Sequence, residues 1–158
     1  MENIKKISHK DIAEYFLAFG NESGEVITNL KLQKLVYYAQ AWYLANNKES
    51  LFDSDFQAWV HGPVIPSLYR EYKHWGSSPI CNELKFESVK QNFDAETLSF
   101  LEVVTKAYMP FGAYQLELMT HQEEPWIQAR QGCDPDEKCE TVISRDLMTE
   151  FYGKKIQS

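Results

Sequence analysis

The chain has 158 residues, a net charge of −7, 44% hydrophobic and 14% aromatic content. That length favours one domain and that composition supplies a core, which excludes global disorder. The absence of a basic stripe and of any run of about 18 apolar residues disfavours direct nucleic-acid binding and a membrane span.

The N-terminus lacks an apolar signal-peptide core. Ser8 is a good N-cap, with Asp11 three residues on at the positive end of the helix dipole. Ile12, Phe16 and Phe19 then share one face, and Gly20 is the expected C-cap. "NESGEVIT" reads as a loop. Thr28 or Asn29 starts the strongest helix, "NLKLQKLVYYAQAWYLANN". Its second half is apolar or aromatic nearly all round, which marks a central core helix or one half-exposed at an interface.

"FQAWVHGPVIPSLYREYK" moves from aromatic residues through His61-Gly62-Pro63 into a helix begun by Pro66. Leu68, Tyr69, Tyr72 and Trp75 keep three-four spacing, and Gly76 stops that helix. "SSPICNELKFESVKQNF" fits a small hairpin or an extended loop. Asp94 caps a helix that Pro110 and Gly112 end. "AYQLELMTH" continues as another, with His121 at its C-terminus. Pro125 suits a first helical position for "PWIQAR". "GCDPDEKCE" is an acidic loop, and Ser144 caps a final helix. The expected fold is mainly α: a single compact domain spanning 1–158, core about 8–152, with about six helices and one small two-stranded β element.

Catalytic motifs are sparse. "HQEEP" superficially resembles HExxH, but Pro125 stands where the second histidine would be, so a helical zinc site fails on geometry. No metal or cofactor site is expected. Cys81, Cys133 and Cys139 have neither the number nor the spacing of a zinc ribbon or redox motif. A reducing cytoplasm is the simplest compartment. Residues 117–140 carry Glu117, Glu123, Glu124, Asp134, Asp136, Glu137 and Glu140 against Arg130 and Lys138. Such a flank repels phosphate backbones and favours encounter with basic partners. Trp42, Trp59, Trp75 and Trp126 lie in four segments amid nine tyrosines and nine phenylalanines. Tyr and Trp serve both cores and partner hot spots.

Three stretches together resemble the Panacea antitoxin domain, also described as the SocA-like or GepA-like phage-associated domain. They are "ITNLKLQKLVYYAQAWYLA", "LFDSDFQAWVHGPVIPSLYREYK" and "LELMTHQEEPWIQAR". The carrying residues are Leu32 to Leu35, Tyr37, Tyr38, Trp42, Phe56, Trp59, Gly62 to Val64, Leu68, Tyr69, Thr120, His121, Pro125 and Trp126. His61 departs from the aromatic or basic residue expected before Gly-Pro. The resemblance implies a non-enzymatic antitoxin that binds a cognate protein toxin, in systems often carried by phages and mobile elements. On that reading Tyr38, Trp42, Trp59, His61, Tyr69, His121 and Trp126 are candidate partner-binding residues, and Gly62, Pro63 and Pro66 form a structural corner. Two alternatives stand beside it. One is an adaptor that delivers its partner to a protease. The other is a small hydrolase using His61 or His121 with a carboxylate or cysteine within hydrogen-bond reach. The oligomeric state is left open.

Overall fold

In a computed structural model, which describes residues 6–156, the chain is mainly helical with one small antiparallel hairpin. Eight α-helices and a single 3-10 turn are present among the described residues.

Helix α1 (His9–Ser23) begins where expected: Ser8 accepts from the Asp11 N–H while the Asp11 carboxylate accepts from the Ser8 N–H. It runs past Gly20 and ends at Gly24, whose φ of 79° closes the helix. The correction has a packing cause. A Cβ at Gly20 would come within 3.0 Å of both the Glu25 carbonyl and the Ile27 side chain, so Gly20 serves close approach of the returning loop. Helix α2 (Asn29–Asn47), capped by Thr28, is the central helix, buried at every residue from Lys31 to Ala41.

The polar residues on α2 pin the segments around it. Gln40 donates to the Phe52 carbonyl and accepts from the Leu51 N–H. Gln33 accepts from the Ile65 N–H, and Lys31 donates to the Met109 carbonyl. Such satisfied polar groups let a helix of low amphipathicity sit inside a core.

The two-stranded element lies at the His-Gly-Pro corner. Strands β1 (Gln57–Trp59) and β2 (Gly62–Val64) pair antiparallel, with Trp59 opposite Gly62 and Ala58 opposite Pro63. The 77–93 segment instead carries a short helix, α4 (Phe86–Lys90), that packs on α1. The segment packs through Phe86, whose ring meets Tyr15 and Phe19 edge-on, and through the buried Val89 and Phe93. Between the hairpin and α4, helix α3 (Pro66–Tyr72) starts at Pro66 and passes into the 3-10 turn Lys73–Trp75.

Asp94 caps α5 (Ala95–Tyr108), and α6 (Ala113–His121) and α7 (Glu124–Ala129) follow. The 141–143 segment runs along the outer edge of β1, through Ala58 N–H to the Thr141 carbonyl and Ile143 N–H to the Phe56 carbonyl. Ser144 then caps α8 (Arg145–Ile156), which lies along α2.

Candidate functional site

The tight turn between β1 and β2 puts Gly62 at φ 110°, a conformation that glycine adopts without strain. A Cβ there would lie 2.6 Å from Lys34 Cε and 3.0 Å from Thr120 Oγ1. The hairpin turn therefore rests directly on α2 and on the end of α6. His61, at the tip of the turn, projects outward, and its Nδ1 meets Glu117 Oε1 at 3.0 Å. The His61 side chain is 63% exposed and that of Glu117 17%.

Behind the turn the aromatic residues interlock. The His121 and Trp126 rings stack with centroids 4.0 Å apart. Trp126 Nε1 donates to the Trp59 carbonyl, and Trp59 meets Tyr69 edge-on at 5.1 Å. Arg130 lies over the Trp126 ring. Its guanidinium donates to the Ala58 carbonyl on β1 and to the carbonyls of Asp134, Pro135 and Glu137 in the acidic loop. That loop is closed by a Cys133–Cys139 disulfide, a pairing the cysteine spacing did not suggest. The turn of the chain around the Arg130 guanidinium brings the two cysteines together.

Trp59, His61, Tyr69, His121 and Trp126 thus gather on one hairpin-centred site. Trp42 and Tyr38 belong to a second cluster. Tyr38 is wholly buried, stacked on Tyr108 at 4.0 Å, and donates to Glu123, as does Tyr152. Trp42 Nε1 donates to the Tyr108 hydroxyl. Burial raises the Glu123 carboxyl above its ordinary value, against the opposing effect of the two tyrosine donors. Burial likewise lifts the Tyr108 hydroxyl to about 12. Tyr38 therefore supports the site from within and offers no surface to a partner. The corner residues divide the work: Gly62 makes the turn, Pro63 lies in β2, and Pro66 starts α3.

Sequence reasoning counted Lys34 within the Leu32–Leu35 motif and Glu117 and Arg130 within the acidic flank, without giving any of them an individual role. Lys34 follows Lys31 and Gln33 in the polar first half of α2, so its burial had no clear signal in the sequence. Its Nζ is buried and meets no hydrogen-bond partner among the described residues. Burial lowers its ammonium to about 7, with the Glu117 carboxylate pulling the other way. The unfolded chain keeps the proton up to the ordinary lysine range, so wild-type stability rises as pH increases from about 7 toward 10. Lys34→Met is expected to stabilise the fold by about 1–2 kcal/mol below pH 7, because it replaces an unpaired buried cation with an apolar chain of similar length. The gain should shrink as pH rises through that window. Urea melts at about pH 6 and about pH 9 check it; a less stable variant at the lower pH would show that Lys34 makes a favourable contact.

His61 and Glu117 satisfy the distance of an acid–base pair, but they lie at the surface and not in a cleft. Burial lowers the His121 imidazole, and its ring is stacked on Trp126. A groove of about 560 Å³ between α1, α4 and α5, lined by Tyr15, Phe19, Phe86 and Met109, lies away from both histidines. The free thiol among the described residues, Cys81, is exposed in the connection before α4. Around the turn the geometry assembles the His61–Glu117 contact, the His121–Trp126 stack and the Arg130 hydrogen bonds.

The profile of the family described as "Antitoxin SocA-like, Panacea domain" matches residues 32–127. The chain is also similar to "Antitoxin SocA" of Caulobacter vibrioides (strain NA1000 / CB15N), 41% identical over 56 residues. That alignment covers 35% of this chain and 30% of the relative, so the chain spans under a third of the relative's length. No solved structure matches it. No helix among the described residues is long and apolar enough to cross a membrane. The family match runs from the Leu-Gln-Lys-Leu motif of α2 through the hairpin and α6 to Trp126 and covers more than half of the chain, which belongs to the SocA-like antitoxin, Panacea domain family.

Proposed function

We propose that this chain is the antitoxin of a toxin–antitoxin pair and neutralises a cognate protein toxin by direct binding in the cytoplasm, without catalysis. The family match over residues 32–127 carries this reading, because that segment contains most of α2, the hairpin and α6. The half-buried aromatic rings Trp59, Tyr69 and Trp126, with the exposed His61, supply the residue types on which protein interfaces concentrate their affinity. A stable neutralising complex would bury about 1,200–2,000 Å² in total. In a reducing cytoplasm Cys133 and Cys139 would stand as thiols, and Arg130 together with the 141–143 contact to β1 would hold the acidic loop.

The test is co-expression with the product of the adjacent open reading frame. Growth arrest by that product alone, relief of the arrest by this chain, and co-purification of the two support the proposal. A harmless neighbour, or one that remains toxic beside this chain, would overturn it. Relief accompanied by a shortened half-life of the neighbour, and by no stable complex, would favour delivery to a protease.

A further inference from the structure

Helix α6 presents a stripe that the sequence reading did not single out. Tyr114, Glu117, Leu118 and His121 stand at i, i+3, i+4 and i+7, on one helix face. Tyr114 is 69% exposed and Leu118 42% exposed, and Phe111 precedes them at 37%. Glu117, set between them, is mostly buried; its Oε1 meets Nδ1 of the solvent-exposed His61 at 3.0 Å, and its carboxylate also acts on the buried Lys34. The charge of residues 117–140 is mostly negative. Of the two cations in residues 117–140, Arg130 is buried on backbone carbonyls and Lys138 pairs with Glu140 at 3.1 Å. Glu124, Asp134, Asp136 and Glu137 remain exposed beside that surface pair, so the flank keeps a net negative charge.

We propose that the Tyr114–Glu117–Leu118 stripe docks a basic segment of the protein partner, in which an arginine or lysine replaces His61 at Glu117 and apolar neighbours cover Tyr114 and Leu118. This rests on the toxin-binding reading and specifies the chemistry of the toxin surface. A carboxylate already largely desolvated loses little further hydration when a cation arrives, and covering the flanking apolar side chains excludes water from the new pair. The same negative field repels nucleic acid and anionic lipid.

The probe is the purified product of the adjacent open reading frame, titrated calorimetrically into the full chain at about 50 and about 300 mM salt. Glu117→Gln and the double variant Tyr114→Ala/Leu118→Ala should each weaken binding by about tenfold or more. Glu83→Gln, an exposed acidic change in the 77–85 connection, should alter it by less than about twofold. Glu117→Gln should also lose part of the wild-type salt dependence. Tyr114, Leu118 and Glu83 are exposed, whereas Glu117→Gln also removes the carboxylate that offsets the Lys34 charge, so a thermal melt checks that each variant is folded at the assay temperature. If wild type binds the probe and both stripe variants match it within about twofold, the inference falls while the toxin-binding reading stands. If wild type does not bind, both fall. If the double variant instead turns a dimer of this chain into a monomer and leaves probe affinity unchanged, the stripe is a self-contact and the inference is overturned.

Discussion

Arg130→Met is expected to lower stability by about 3–4 kcal/mol, seen as a drop in Tm of about 6–16 °C for a domain of this size. Arg130 is 6% exposed, and its guanidinium bonds carbonyls on both β1 and the 134–137 loop. Methionine restores the volume of the stem but leaves the Ala58 carbonyl and the loop carbonyls without their donor, and unmet buried acceptors cost more than the net value of the bonds. Arg130→Lys should recover only part of the loss, since one ammonium cannot reproduce a planar fork that reaches both segments. Circular-dichroism melts of the three proteins check the order. A Tm for Arg130→Met within about 2 °C of wild type would mean that the loop is held chiefly by the disulfide and by the 141–143 contact with β1.

Gly62→Ala is expected to cost about 3 kcal/mol, or about 6–12 °C in Tm. Two effects add. The backbone φ of 110° is unfavourable for any residue with a Cβ, and that Cβ would sit 2.6 Å from Lys34 Cε and 3.0 Å from Thr120 Oγ1. Lys34 is fully buried, so its end has little room to yield. Gly132→Ala separates the two effects. Its φ is 91°, yet no atom outside its chain neighbours lies within 4 Å of the new Cβ, so only the backbone part remains, about 1 kcal/mol. Adding Lys34→Ala to Gly62→Ala should recover part of the larger loss, and the double-mutant cycle measures how much of it is the contact. Equal costs at the two glycines would refute close packing of the turn. Because Gly62 sets the height of His61 over Glu117, the variant should also impair neutralisation.

Much of the helical plan was legible because its causes are local. Ser8, Thr28, Asp94 and Ser144 each accept a backbone N–H at the start of a helix, as their side chains allow. Pro66 and Pro125 mark helix starts for the same local reason. Where the reading failed, the cause was a distant residue. Gly20 resembled a stop, but its missing side chain serves Ile27 and Glu25. The hairpin fell at residues 57–64 because the partner of β1 was disguised by a proline and by the left-handed turn at Gly62. The count of about six helices missed short ones such as α4, whose five residues span too little sequence to show a period.

The candidate site divides along the same line. Sequence by itself identified the motifs, the aromatic supply, the acidic flank and the family. Only the tertiary structure decided that Trp59, His61, Tyr69, His121 and Trp126 share a corner while Tyr38 lies beneath the surface. It also decided the fate of the charges: Lys34 inward and unpaired, Arg130 inward and bonded, Glu117 at the rim beside exposed Tyr114 and Leu118. The bonds that settle these roles join residues 56, 67 and 72 positions apart: His61 to Glu117, Trp126 to Trp59, and Arg130 to Ala58. Local propensity fixes where a helix begins. Whether a charge is buried, paired or presented depends on which distant carbonyl or carboxylate the folded chain brings to it.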